Sequence, residues 1–332
     1  IKDVRGDDTR YSSAMSILTE PRTFMYLVPA DKAIEAINMI KSKYEKEMSQ
    51  VRGRLPLHLG VIYANRYTPF RTILDAGRRM LNQGGVAASA EVAFIVQDDN
   101  NKLNLYLKIE GENATIHWPI ALKAGGDSNI EDDWYPYLPL ICQKLSNSNL
   151  SLKLLKPIKL KYCDIKLEIE KMIHSKNLAK GDRIILYPST FDFEYLDSAG
   201  KRFEIAYENS KRKSPDKEQR PYLLEQVDIL NKIWEVLKTG ALNRNQIYAL
   251  RDAIASKREE WQQSYVSPDE TFKQFCRDML VTASWNKVML PGQEKEVYPW
   301  KVDGTNHKEF FDQWADYAVR GWLEDVVQLY LQ

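Results

Sequence analysis

Several groups in this chain have the residue types that hold metal ions or move protons. Gly6-Asp7-Asp8 places two carboxylates side by side after a glycine, and Gly125-Gly126-Asp127-Ser128 joins one acid to a permissive backbone. Adjacent carboxylates chelate divalent cations, and glycine lets a phosphate approach the main chain. The surroundings favour plainer readings. Arg10, Ser12 and Ser13 follow the first motif where an apolar strand would be needed, so it reads as a solvated loop. The second leads into the polar run Asn129 to Asp133, in which Glu131, Asp132 and Asp133 read as a solvated face. Asp192 and Glu194 share a strand face and read as polar positions alternating with Phe191, Phe193 and Tyr195.

The remaining catalytic candidates are weaker. His58, His117, His174 and His307 lack the close pairing of metal ligands, and His58, in an alternating stretch, reads as structural. Cys142, Cys163 and Cys276 have no CxxC spacing, and their odd number fits a reducing, cytoplasmic setting. No glycine-rich run ends in Gly-Lys-Ser/Thr, and no Ser-His-Asp or Cys-His order can be traced. The sequence therefore assigns no catalytic, metal or cofactor residue.

Arginines are more suggestive, because their forks match phosphate oxygens. Arg52, Arg54, Arg66, Arg71, Arg78 and Arg79 cluster within one stretch, and Lys257 and Arg258 stand beside Trp261. These eight are the candidate RNA-binding residues, since basic and aromatic groups together follow an RNA backbone. Lys211, Arg212, Lys213, Lys217 and Arg220 crowd the charged, proline-containing run Ser210–Arg220, which reads as a linker. Lys and Arg total 47 against 46 acidic residues, so nucleic acid is not held by bulk charge, only by a local face.

The 332 residues, 44% hydrophobic and 28% charged, suffice for a sizeable core, and length alone suggests about two domains. No apolar run approaches the roughly 18–20 residues of a membrane span, so no membrane partner is expected. Residues 1–20 carry no apolar segment of the secretory kind, and the start at Ile1 suggests a fragment of a longer polypeptide.

Local patterns place these residues. Ser16–Thr19 and Thr23–Val28 read as strands joined by a tight turn at Glu20-Pro21-Arg22. A helix from Pro29 carries Ala33, Ile34, Ile37, Ile40, Tyr44 and Met48 at helical spacing. Leu57–Ala64 alternates as a strand. Thr68 and Pro69 then start a helix to about Leu81, burying Phe70, Ile73, Leu74, Gly77 and Leu81. This order is most of a ferredoxin-like palm without its first strand and helix. Strands are expected at 91–96, 103–109, 115–122 and 184–187, and a helix through Leu140–Leu145. A hairpin is expected to pair Phe191–Leu196 with Arg202–Tyr207. Helices are expected from Pro221, over Asn243–Trp261, from Pro268, and as one element over His307–Tyr330. Trp234, Trp261, Trp314 and Trp322 are candidate packing or interface anchors.

The segment Leu18–Leu81 resembles the second palm domain of the large subunit of type III CRISPR effector complexes, in a divergent, III-D-like branch. Tyr187–Glu208, Arg220–Leu237 and the terminal WADYAVRGWLEDVVQLYL look similar to later parts of that branch. The resemblance implies an RNA-guided ribonucleoprotein in which this subunit contacts guide RNA, target RNA, a foot subunit, backbone subunits and small helical subunits. Many members make cyclic oligoadenylates from ATP at a Gly-Gly-Asp-Asp hairpin, and many carry an HD nuclease. Here the hairpin tip reads Thr19-Glu20-Pro21-Arg22, and no HD segment is visible. Proline removes an amide donor there, and arginine brings positive charge where cations would bind. The expectation is an α+β chain: a degenerate palm (1–82), a mixed β-rich region (83–212) and a C-terminal helical domain (213–332). It would act as a structural subunit with a silent palm; an active, cyclic-oligoadenylate-making palm is the alternative.

Overall fold

A computed structural model describes residues 14–83, 87–97, 102–109, 115–122, 130, 137–141, 158–159, 168–289, 295–301 and 306–331. Strands β1 (Met15–Glu20) and β2 (Thr23–Leu27) form a hairpin, followed by helix α1 (Ala33–Glu47), β3 (His58–Ala64) and α2 (Phe70–Met80). Next come β4 (Ala88–Gln97), β5 (Lys102–Ile109), β6 (Thr115–Ala121), β7 (Tyr137–Ile141), β8 (Ile158–Lys159), β9 (Glu168–His174) and β10 (Arg183–Leu186). β11 (Thr190–Leu196), β12 (Tyr207–Glu208), β13 (Lys211–Arg212) and β14 (Tyr222–Leu223) precede the terminal helices. These are α3 (Val227–Lys238), α4 (Arg244–Glu260), α5 (Glu270–Thr282), α6 (His307–Val319) and α7 (Trp322–Leu331). The fold is mixed α+β, as the sequence indicates.

β4 to β10 build a seven-stranded antiparallel sheet in the order β6-β5-β4-β10-β7-β9-β8. The period-two pattern of β5 and β6 buries Leu103, Leu105 and Leu107 with Ile116, Trp118 and Ile120. The Trp118 indole donates to the Ser49 carbonyl at 2.8 Å, which ties this sheet to the end of α1.

A second sheet, β14-β11-β3, positions the groups that matter most. β11 runs parallel to β3 in the register Thr190↔His58 to Leu196↔Ala64. One face carries Phe191 and Phe193 with Leu59 and Tyr63, in a core shared with Ala33 and Ile37 of α1 and with Leu230, Ile254, Phe272, Phe311 and Val326. Ile62 on the opposite face packs with Ala76 and Met80 of α2. A parallel pair is thus covered on both sides. The β1–β2 hairpin forms a sheet of its own among the described residues.

The hairpin, its tight turn, α1, β3, β4, β5, β6, β10 and α4 lie where local patterns place them, within a few residues. Several expectations are corrected. Leu138 and Leu140 belong to a strand, β7, which pairs with β9 and β10, so no helix starts at Leu140. Phe191–Leu196 finds its partners far away in β3 and β14, and Arg202–Tyr207 gives no return strand; a 3-10 segment covers Ala199–Glu204. Pro221 leads into β14, whose Tyr222 and Leu223 pair with Phe191 and Thr190, and α3 starts only at Val227. Thr68 does not cap α2; Pro69 holds that position. The buried stripe of α2 is Thr72, Ala76 and Met80, while Phe70 and Leu81 are exposed. Met80 sets this rotation, because it lies flat on Gly60 of β3, where an added Cβ would stand 2.5 Å from its Cγ.

The terminal helix is two helices. Gly321 between α6 and α7 has φ +75°, and its amide donates to the Ala318 carbonyl at 3.0 Å. A Cβ there would meet the Tyr265 ring at 2.5 Å, so the position excludes a side chain twice over, by conformation and by space. Gly240, at φ +85°, has open space around it. Gly321→Ala is therefore expected to lower stability by about 2–4 kcal/mol, adding left-handed strain to overpacking. Gly240→Ala is expected to lower it by about 1 kcal/mol, from strain alone. Urea denaturation of the two variants checks the difference; equal losses would refute the steric account.

Candidate nucleic-acid interface

The charged residues fall into two populations, and the first is internal. β11 turns Asp192 and Glu194 away from its aromatic face into a region with no solvent exposure. Arg212 donates through Nε to Asp192 and through Nη2 to Glu194, both at 2.8 Å. Lys217 Nζ reaches both oxygens of Glu194 at 2.9–3.0 Å, and the Tyr207 hydroxyl donates to Asp192 at 2.6 Å. Arg220 lies 3.8 Å above the Phe193 ring and donates to the Phe193 carbonyl at 2.9 Å and to Asp325 of α7 at 3.0 Å. Asp325 also accepts from Tyr222 and Gln219. Burial works against the Arg212 charge, yet Asp192, Tyr207 and Glu194 hold its pKa above the ordinary value. Burial likewise pushes the Tyr207 and Tyr222 hydroxyls up, so both remain proton donors. Ser210–Arg220 is therefore no simple linker: Arg212, Lys217 and Arg220, read as a surface cluster, are buried ion-pair partners.

Two of the eight candidate RNA-binding residues share that fate. Arg52 is buried, paired with Glu225 and lying 3.5 Å from Glu45; burial lowers its pKa. Arg258 donates to the Ala318 and Val319 carbonyls at 2.7 and 2.9 Å and pairs with Glu324 at 3.0 Å. It thereby satisfies the carbonyl end of α6, a favourable site for a cation. Both are corrected from surface contacts to internal ties. Lys257 is half-buried, paired with Glu260 at 2.7 Å and set over the Trp261 ring. Arg54 is half-buried in the turn after α1. Among the tryptophans, Trp314 and Trp322 are core residues, Trp234 stacks on Tyr330 at 4.9 Å, and Trp261 stays partly exposed. Burial pushes the Cys276 thiol up to about 12, which leaves it an inert core residue.

The second population faces outward along α2. Arg71 and Arg78, two turns apart on the exposed side of the helix, make no ion pair among the described residues, and Phe70 lies beside Arg71 with half its surface open. Before the helix, Arg66 lies over the Tyr67 ring at 4.6 Å. The segment Ala199–Glu204 flanks the other edge: Arg202 bonds Thr72 at 3.3 Å and Asp75 at 3.4 Å. Arg79 also pairs with Asp75 at 3.4 Å. Phe203, 56% exposed, carries Arg202 and Arg79 over its ring at 4.6 and 5.0 Å. The result is a surface of Arg66, Arg71, Arg78, Arg79 and Arg202 with the exposed rings of Tyr67, Phe70 and Phe203. Guanidinium forks are of the type that pairs with phosphates, and exposed rings of the type on which bases stack. Arg202 and Phe203 escaped the sequence reading because a strand was expected there; the adjacent Lys-Arg-Phe was their only signal.

At the hairpin tip, Glu20, Pro21 and Arg22 are exposed in a two-residue turn. Among the described residues, no three His, Cys, Asp or Glu side chains gather as a metal site. Asp7, Asp8, Asp127, Glu131, Asp132, Asp133, Cys142 and Cys163 lie outside the described residues. His58 closes a polar relay: its Nδ1 is 2.6 Å from Thr190 Oγ1, which donates to Gln83 at 2.6 Å, which in turn donates to the Leu59 carbonyl at 3.0 Å. That hydroxyl proton being committed, His58 is the donor to Thr190. No described helix is long and apolar enough to cross a membrane. Comparison with known protein families, with characterised proteins and with solved structures returns no match.

Two outcomes follow from these contacts. Asp325→Ala strands the Arg220 guanidinium in the core and is expected to remove about 3–5 kcal/mol, part of which Arg220→Met in the same chain restores. Urea denaturation of the single and double variants reads this; additive losses would refute the pairing. Burial lowers the pKa of His58 below 6.5, so the neutral ring is favoured in the fold. Its contribution is complete above the unfolded value and is lost as pH falls through the folded one. Urea midpoints at about pH 7.5 and about pH 5.5 should fall with acid, and less steeply in His58→Gln.

Proposed function

We propose that this chain is a structural part of the large, palm-bearing subunit of an RNA-guided type III CRISPR effector, from a divergent III-D-like branch. In this reading the palm is catalytically silent and serves as scaffold and RNA contact. Support comes first from the resemblance over Leu18–Leu81, and from the order hairpin, helix, strand, helix in that segment. The ferredoxin-like palm belongs to this proposal; among the described residues its hairpin and β3 lie in separate sheets. Its tip, Glu20-Pro21-Arg22, is a poor holder of metal-bound phosphate, since an arginine stands where cations would gather.

The observation that carries the proposal is the outward face of α2. Arg71 and Arg78 pair with no carboxylate among the described residues, and exposed rings flank them. Guide and target RNA are its proposed ligands, and the surface of the C-terminal helices, with part-exposed Trp261, is offered to foot, backbone and small helical subunits. A cytoplasmic ribonucleoprotein is the setting of this reading.

Fluorescence anisotropy with a labelled 20-nucleotide oligouridine RNA tests the contact. The double change Arg71→Glu with Arg78→Glu is expected to weaken binding by about tenfold or more and to flatten the log K against log salt slope by about 1–2. Arg251→Glu, on the distant α4 beside Asp252, should leave both unchanged. Equal affinity of the double variant and the parent chain would sink the reading.

A further inference from the structure

Arg202 is a poorly satisfied cation at the edge of the α2 face. Its Nε is buried without a hydrogen-bond acceptor, although Asp75 Oδ2 lies 3.4 Å away. Its Nη1 reaches Thr72 Oγ1 at 3.3 Å, a long bond for this pair of atoms. Arg79 turns to the same carboxylate, Nε to Oδ2 at 3.4 Å. Two guanidiniums thus share one acid, and neither meets a second among the described residues. The trio carries one surplus positive charge. The Nη groups of Arg79 and the Nη2 of Arg202 have no partner among the described residues.

The ring beside them is held in place from both sides. Before the segment Ala199–Glu204, Leu196 is buried against Ala76 and Met80 of α2, and after it Ile205 is buried in the same cluster. Phe203, between these anchors, stays 56% exposed. Among the described residues no other ring packs on it; Arg202 and Arg79 alone lie over it, at 4.6 and 5.0 Å from its centre. A single exposed phenylalanine is ordinary. A pinned ring flanked by two guanidiniums that share one carboxylate is not, because each part lacks what one ligand would supply: an apolar plane for the ring and an anion for the forks.

We infer that Arg79, Arg202 and Phe203 form a subsite for one unpaired nucleotide of an RNA strand. The base stacks on the open part of Phe203, and the phosphodiester accepts from the uncommitted Nη groups. Its single negative charge matches the surplus of the trio. The guanidiniums stand about as far from the ring centre as a phosphate stands from its own base. In a duplex both faces of a base are covered by its neighbours, so only an unpaired base can use the ring. The inference rests on the RNA contact proposed above and narrows its ligand to single-stranded RNA. Arg71 and Arg78 act there through charge alone, which a duplex also satisfies; this subsite asks for a free base.

Fluorescence anisotropy of the whole chain tests this, with a labelled 20-nucleotide RNA free of self-complementarity, alone and annealed to its complement. Phe203→Leu should weaken the single-strand complex about tenfold, leave duplex affinity as it was, and leave the log K against log salt slope unchanged, since stacking displaces no counterion. Phe203→Trp should bind the single strand at least as tightly as the parent chain. Arg202→Gln should weaken the single-strand complex and flatten its salt slope by about 1. An unchanged ratio of single-strand to duplex affinity in Phe203→Leu would overturn the subsite and leave the contact through Arg71 and Arg78 standing. A parent chain that binds neither form of the RNA would overturn both.

Discussion

The polar centre behind β11 is the constraint on which the rest of this structure depends. Asp192 and Glu194 are stripped of water, a state that is strongly unfavourable for a carboxylate unless cations and donors surround it. The cations come from one short stretch of chain, Arg212 on β13 and Lys217 on a 3-10 turn, and Arg220 just beyond them lies on Phe193 and is held in turn by Asp325 of α7. None of these segments can leave without stranding a charge. A stretch with the composition of a linker is thereby fixed as firmly as any core strand. The terminal helix is tied to the middle of a sheet formed more than a hundred residues earlier.

Order spreads from that centre through the two faces of β11. Its odd face is aromatic and joins α1 to the C-terminal helices in one core; its even face is ionic and backs onto α2. Parallel pairing with β3 keeps the two faces in register, so Gly60 stands where Met80 needs room. The rotation of α2 follows, and with it the side of the helix that remains outside. Arg71 and Arg78 are therefore exposed because of a glycine on a neighbouring strand, and their own sequence neighbourhood does not reveal it.

How much of this was readable from sequence depended on whether the deciding interaction was local. The β1–β2 turn, the stripe of α1, the alternation of β5 and β6, and α4 with its Asn243 cap are set within a few residues, and pattern alone places them. β7, β14 and the partners of β11 are set by pairings across long stretches of chain, which no window contains. The break at Gly321 was hidden by apolar spacing that runs on through Trp322 and Val326; its cause is the ring of Tyr265, 56 positions upstream. The aromatic face of β11 was visible, whereas the role of its acids was not, because their partners lie in a segment that resembles solvated chain.

The arginines make the same point for the candidate site. Arg52, Arg71 and Arg258 are alike in type, each near apolar residues, and composition cannot rank them. An arginine fork has five donors, and burying it is tolerable only where carboxylates or helix-end carbonyls meet most of them. Arg258 finds the end of α6 and Glu324; Arg52 finds Glu45 and Glu225. Arg71 meets no carboxylate among the described residues, because the helix rotation that buries Met80 points it outward. A basic residue is free to hold phosphate only after the fold has failed to use it. Sorting them requires the acceptors, and these come from elements distant in sequence.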